Sequence, residues 1–138
     1  MQLKRLFNTG TREGTLDLAI LIVRLSVGLS MLTHGWPKLN RLLEGGEISF
    51  GDPLGLGPVV SLVLAVFAEV VCSIFIALGL GTRLASIPLI ITMGVAAFIV
   101  HASDPFKGKE MAILYTVFYI LLLLTGSRKY SLDRILFR

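Results

Sequence analysis

Four long apolar blocks dominate this chain of 138 residues and decide which folds are open to it. They run over residues 16–33, 59–80, 84–102 and 110–126. A helix needs about 20 residues, with a range of about 17 to 25, to cross the hydrocarbon core of a bilayer, and the fourth block is at the lower limit. None of the blocks shows the alternation of period two that a membrane barrel requires. The pattern predicts four transmembrane helices.

The composition supports a membrane protein and excludes other classes. Hydrophobic residues make up 54% of the chain and charged residues 16%, whereas average soluble domains carry about 25% charged residues. Cys72 is the single cysteine, so one chain can form neither an internal disulfide nor a C-x-x-C redox pair. The net charge of +4 does not indicate nucleic acid, because the basic residues flank the apolar blocks. The lipid bilayer is therefore the predicted partner.

The short connections between the blocks predict an all-α, up-down-up-down bundle of four transmembrane helices, forming one domain over residues 1–138. The turn at Gly79–Thr82 makes the second and third helices antiparallel neighbours. Small residues spaced four apart, Ser73, Ala77 and Gly81, indicate a face on which two helices approach closely.

The first outer loop is predicted to contain a short helix of its own. Pro37 is suited to begin a helix and Gly45-Gly46 to end it, while Trp36 is suited to anchor it at head-group depth. We therefore expect an interfacial helix after the first membrane span. The glycine-rich residues 48–57 that follow are expected to fold over the outer end of the bundle.

The distribution of lysine and arginine predicts the orientation. One side holds eight basic residues: Lys4, Arg5, Arg12, Arg83, Arg128, Lys129, Arg134 and Arg138. The other side holds four: Lys38, Arg41, Lys107 and Lys109. We therefore predict a multi-pass protein of the cell membrane with both termini in the cytoplasm.

Two charged residues interrupt the apolar blocks, and such residues are costly within a bilayer. Arg24 lies ten residues before His34, where the first block ends, and Glu69 lies ten residues after Val59, where the second begins. Both are thus expected at a depth of about 15 Å, near the midplane, as a buried ion pair. The pair is either a structural link that fixes the helix register or part of a proton relay or ligand path.

A second polar group is predicted at the outer ends of the helices. His34 and His101 end the first and third blocks, with Trp36 and Lys38 close to His34 in sequence. Histidine exchanges protons near neutral pH and hydrogen-bonds carbonyl groups, so these four residues form a candidate ligand site. Bis-histidine haem ligation is a weaker alternative, because Gly-Trp-Pro after His34 is expected to end the helix where a haem needs rigid support. A zinc site with Asp104 or Glu110 is also weaker, since close metal-ligand spacing is missing. We therefore predict no metal.

Two tyrosines extend this candidate site. Tyr115 and Tyr119 lie one helical turn apart on the fourth helix. They either pack in the core or stack on a quinone or another aromatic ligand.

Taken in order, these motifs resemble the DoxX family of small integral membrane proteins. The motifs of the first helix are Arg24-Leu25-x-x-Gly28 and His34-Gly35-Trp36-x-Lys38-Leu39. Those that follow are Glu69, Gly79-Leu80-x-Thr82-Arg83, Met93, Ala96, His101, Leu123 to Gly126 and Ser131-Leu132-Asp133. The resemblance implies a four-helix membrane protein, in a family named for its likeness to a subunit of membrane thiosulfate:quinone oxidoreductase. Some of its members act as assembly factors.

The resemblance favours a quinone- or small-ligand-binding subunit of a membrane redox complex. Electrons would come from a partner protein, because the sequence contains no flavin, haem or iron–sulfur motif. The alternative is a non-catalytic scaffold or assembly factor that binds partner proteins or lipids. A transporter is a third possibility and would require a homo-oligomer. Whether the protein is an enzyme stays open.

Overall fold

The computed structural model describes residues 8–138, and all regular structure within that range is helical. The elements in chain order are α1 (Glu13–Glu44), α2 (Pro58–Leu78), α3 (Thr82–Val100), α4 (Phe106–Thr125) and a short α5 (Leu132–Leu136). The first four are each long and apolar enough to cross a membrane, which confirms the four predicted spans. Lys4 and Arg5, which enter the count of basic residues, lie outside the described residues.

Helix α1 is longer than predicted, because it continues through His34 and Pro37 as far as Glu44. The separate helix expected after Trp36 is therefore the last part of α1. A proline inside a helix removes one hydrogen bond and costs about 3 kcal/mol. Here residues beyond the proline, Leu39 and Leu42, pack against a buried cluster on α2 formed by Leu62, Val66 and Val70. This packing offsets the cost of the proline.

The loop between α1 and α2 folds against the bundle, as the sequence predicts. Ile48 and Phe50 pack on the same buried cluster of α2. The Asp52 carboxylate accepts hydrogen bonds from the backbone N–H of Leu56 at 2.8 Å and of Gly57 at 2.9 Å, and from the Ser61 hydroxyl at 2.9 Å. These donors, Gly57 foremost, hold the pKa of Asp52 below its ordinary value. Asp52 thereby fixes the loop to the start of α2.

Helices α1 and α2 run antiparallel and approach very closely. A Cβ atom at Gly28 would lie 3.0 Å from the Ser73 carbonyl oxygen, and one at Gly35 would lie 2.9 Å from the Glu69 carbonyl oxygen. The contacts fall on α2 as they rise on α1, which defines the antiparallel direction. The predicted close approach is confirmed at Ser73 and Ala77, since both contact Gly28. It is wrong at Gly81, which lies beyond the end of α2 and where an added Cβ would have no neighbouring atom of the described residues within 4 Å.

The bundle has two ends with different contents. We call the loop end the one that carries residues 38–57 and 100–108, and the terminal end the one that carries residues 8–17 and 125–138. At the terminal end the start of α3 lies beside the end of α4, where the Arg83 guanidinium donates to the Leu124 carbonyl. Between the two ends lies the main core, which includes Met31, Cys72 and Tyr119.

Arg24 is fully buried, but it does not pair with Glu69, so this part of the sequence prediction is wrong. Its Nε donates to the Ile76 carbonyl at 3.0 Å and its Nη2 to the Ala77 carbonyl at 3.2 Å. Its Nη1 donates to the carbonyls of Ser127 at 2.7 Å and Tyr130 at 2.8 Å. The guanidinium thus ties α1 to the last turn of α2 and to the segment that follows α4.

The error arose from the reference point used for depth. A depth for Arg24 counted from His34 assumes that the first helix ends there, whereas α1 continues ten residues further. Arg24 lies level with Ile76, and Glu69 lies seven residues earlier on α2, about 10 Å away along the helix axis. The two side chains are therefore at different depths.

We predict that Arg24→Met lowers the free energy of unfolding by at least about 3 kcal/mol, because it leaves buried carbonyl oxygens without donors. The matched control is Arg12→Met, which removes an exposed arginine just before α1. Denaturant or thermal unfolding in detergent measures the difference. Equal stability of the two variants would contradict the role given to Arg24.

Candidate functional site

A cavity of about 230 Å³ opens at the loop end, between α1, α2, α3 and α4. Its polar lining comes from α1, α2, α4 and the turn after α3, and consists of His34, Lys38, Glu69, His101 and Tyr115. Three methionines, Met31, Met93 and Met111, supply much of its apolar lining. Met31, His34 and Lys38 are spaced three and four residues apart on α1, so they occupy one face of that helix.

The strongest electrostatic contact in the cavity joins Lys38 to Glu69. The Lys38 Nζ lies 2.6 Å from each carboxylate oxygen of Glu69. The Glu69 side chain is only 3% exposed, whereas that of Lys38 is 30% exposed. The pair compensates the buried carboxylate, and the third N–H of the ammonium stays available to a ligand in the cavity.

Glu69 is located where α2 departs from regular α-helical geometry. Residues Phe67–Cys72 form a π-helical segment, and a second one, Ala96–Val100, lies on α3 immediately before His101. π-Helical turns are rare and frequently occur at functional sites. Both segments contribute cavity residues, Glu69 from the first and Ala96 from the second.

Aromatic rings form one wall of the cavity. The Tyr115 ring contacts the His34 ring edge-on, with centroids 5.9 Å apart and planes at 85°. Behind it, the Tyr119 ring stacks on Tyr115 at 5.9 Å and 17°. Tyr119 is completely buried, and its hydroxyl has no hydrogen-bond partner within the described part of the chain. Tyr115 thus faces the cavity, while Tyr119 supports it from the core.

His101 is oriented by a neighbouring carboxylate. Its Nδ1 lies 2.6 Å from Asp104 Oδ2, in the turn that follows α3. This contact leaves Nε2 as the ring nitrogen that can serve a ligand. In the doubly protonated ring, Nδ1–H donates to Asp104 and Nε2–H can donate to a carbonyl oxygen, whereas in the neutral ring with its proton on Nδ1 the Nε2 atom is an acceptor.

The structure brings together four of the six residues predicted as ligand-binding, namely His34, Lys38, His101 and Tyr115. Trp36 lies elsewhere, 58% exposed on the outer surface, and Tyr119 lies behind the cavity wall. Glu69 belongs to this cavity rather than to a midplane pair with Arg24. Over residues 8–138, no group of three or more His, Cys, Asp or Glu side chains is arranged to hold a metal ion.

We predict that Lys38→Met destabilises the protein by about 2 kcal/mol or more, because it leaves the buried Glu69 carboxylate unpaired. The double variant Lys38→Met/Glu69→Gln should recover most of that loss. Lys107→Met, at an exposed position of the same end, is the matched control. Unfolding in detergent provides the measurement, and additive effects of the two substitutions would show that the pair is not coupled.

Comparisons with known proteins yield one family match and one relative. The chain is similar to an uncharacterized protein of Haemophilus influenzae, 29% identical over 126 residues that cover 84% of this chain and 89% of the relative. No solved structure matches it. The DoxX family model matches residues 19–102, more than half of the chain, a segment that contains Arg24, His34, Lys38, Glu69 and His101. The protein therefore belongs to the DoxX family.

Proposed function

We propose that this membrane protein binds a small ligand with a single polar ring, most simply a quinone, in the loop-end cavity as a subunit of a redox complex. The observation that carries the proposal is the convergence of two histidines, a Lys–Glu pair and a tyrosine around one opening within an apolar bundle. Pockets of this kind, apolar with a few convergent polar groups, are the usual places for small-molecule binding.

The size of the cavity limits what it accepts. Its volume of about 230 Å³ is below the range of roughly 300–1,000 Å³ that is typical for whole drug-sized ligands. It therefore suits one substituted ring and favours a quinone head group over a haem. The exposed apolar residues around it, such as Met111, leave room for a tail to extend into lipid.

The side chains have distinct roles in this proposal. A doubly protonated His101, paired with Asp104, donates from Nε2–H to one carbonyl oxygen of the ring, and a ring N–H of His34 donates to the other. Tyr115 packs against the face of the ring. Lys38 and Glu69 hold an exchangeable proton at the inner wall of the cavity. A bound quinone supplies two-electron, two-proton chemistry. Electrons come from a partner protein, since the single cysteine of the sequence rules out a dithiol within one copy.

We also propose that the four helices cross the cell membrane in alternating directions, with both termini in the cytoplasm. The excess of basic residues at the terminal end supports this orientation. Reporter fusions test it: a cytoplasm-active reporter fused after Arg138 should be active, and one inserted at Gly51 in the first loop should not. The opposite pattern would reverse the orientation.

A second candidate function is a non-catalytic scaffold that binds partner proteins or lipids, alone or as a homo-oligomer. The contacts of Arg24 favour it, since the most expensive buried charge serves only to hold backbone segments of this chain together. A scaffold requires such rigidity but not a polar cavity. Ligand binding at the loop end therefore separates the two candidates.

We predict that the purified wild-type protein carries quinone and that His34→Ala and His101→Ala each bind it roughly five- to tenfold more weakly, as expected for a lost hydrogen bond. Trp36→Phe is the matched control, on the same helix but outside the cavity. Extraction and chromatographic analysis of bound quinone, followed by titration, give the measurement. A wild-type protein that neither carries nor binds quinone would leave the scaffold as the function.

A further inference from the structure

A second cavity, of about 310 Å³, lies at the terminal end, at the opposite end of the bundle from the candidate quinone site. The start of α3 lines it with Arg83 and Leu84. The segment after α4 lines it with Ser127 and Arg128, and α5 lines it with Asp133. None of these residues takes part in the function proposed above.

The guanidinium of Arg83 is weakly engaged, in contrast to its neighbour in the cavity. Its one hydrogen bond in the described part of the chain is a long contact of 3.3 Å to the Leu124 carbonyl. Arg128, in contrast, is held by ion pairs to Asp17, at 2.8 Å, and to Glu13. Arg83 therefore keeps donors that are free to bind an anion in the cavity.

Asp133, the acidic residue of the cavity, forms no ion pair with Arg83 in the described part of the chain. Asp133 Oδ1 accepts from the Gly81 N–H at 2.8 Å, and its Oδ2 accepts from the Ser127 hydroxyl at 2.9 Å. Glu13 and Asp17 are both committed to Arg128. All three acidic side chains of this end are thus engaged elsewhere, and residues 1–7 contain no acidic side chain.

The terminal end consequently carries a surplus of positive charge. Four further basic residues of this end form no ion pair with any residue of the described range: Arg12, Lys129, Arg134 and Arg138. Clusters of basic residues beside a membrane attract anionic lipids. An anionic ligand is therefore favoured at this end.

Apolar surface adjoins the cavity and continues along the membrane-spanning helices. Leu84, which lines the cavity, is 75% exposed, and Leu124 of α4 is 72% exposed. Ile87 and Ile91 follow Leu84 on α3 at helical spacing and are also exposed. A ligand with a charged head and apolar chains would satisfy both the cavity and this surface.

We propose that the terminal-end cavity binds the phosphate group of an anionic phospholipid. In this arrangement the Arg83 guanidinium donates two parallel hydrogen bonds to phosphate oxygens, as its planar fork permits. The acyl chains lie along Leu84 and Ile87 on the lipid-facing side of α3. The site is separate from the quinone proposal and stands without it.

The test uses the full chain purified in mild detergent, with native mass spectrometry and thermal unfolding during titration with phosphatidylglycerol, phosphatidylcholine or inorganic phosphate. We expect the wild type to retain phosphatidylglycerol in preference to phosphatidylcholine, and Arg83→Gln to bind it roughly tenfold more weakly, the loss expected for a charge-assisted contact. Arg12→Gln, at the same end, and Lys107→Gln, at the loop end, are matched controls and should weaken binding clearly less than Arg83→Gln does, because neither residue lines the cavity.

A second variant keeps the test decisive if Arg83→Gln does not fold. Leu84→Ser changes an exposed side chain and should weaken phosphatidylglycerol binding without lowering the unfolding midpoint of the lipid-free protein. Equal binding of both lipids, or an equal loss in Arg12→Gln, would overturn the cavity site in favour of diffuse surface charge. Displacement of the lipid by millimolar inorganic phosphate would overturn the lipid assignment in favour of a free anion.

Discussion

The burial of one guanidinium constrains the whole bundle. A charged arginine in the interior of a membrane protein is tolerated only when its donors are satisfied, because each unmet group in a low-dielectric environment is costly. Arg24 meets this requirement with backbone carbonyls alone, at Ile76, Ala77, Ser127 and Tyr130. Ile76 and Ala77 belong to the last turn of α2, and the Ile76 carbonyl also accepts from the Gly79 N–H at 3.1 Å. Ser127 and Tyr130 lie in the non-helical segment after α4. The charge therefore joins elements that are far apart in sequence.

The backbone contacts of Arg24 determine which residue pairs with Glu69 near the loop end. Since Arg24 is satisfied by the backbone, Glu69 needs a different partner, and Lys38 reaches it because α1 extends past Pro37. The close approach at Gly35, which has no room for a side chain, brings α1 near enough to the Glu69 backbone for this contact. The terminal end thus holds the buried Arg24 guanidinium, and the loop end holds the Lys38–Glu69 pair beside a cavity. The length of α1 is the physical reason for this asymmetry.

The sequence predicts the four membrane spans because hydropathy over about 20 residues is a strong signal. It also predicts that His34, Lys38, His101 and Tyr115 lie near one level, and these residues do line one cavity. Trp36 is two residues from His34, about 200° around the helix, so helical geometry already separates it from a site shared by His34 and Lys38. The continuation of α1 through Pro37 was not predictable locally, because it depends on tertiary packing of Leu39 and Leu42 against α2.

The pairing of Glu69 with Lys38, rather than with the predicted Arg24, also affects the chemistry available to the loop-end cavity. An arginine paired with Glu69 would keep its proton under all physiological conditions, since its guanidinium does not titrate. A lysine is a point charge on a flexible stem, and Lys38 is partly open to the cavity while Glu69 is closed from solvent. A ligand entering the cavity therefore meets the lysine first and can compete with the carboxylate for its donors. In the proposed function, the residue that stabilises the Glu69 carboxylate is thus also the one that a bound ligand contacts.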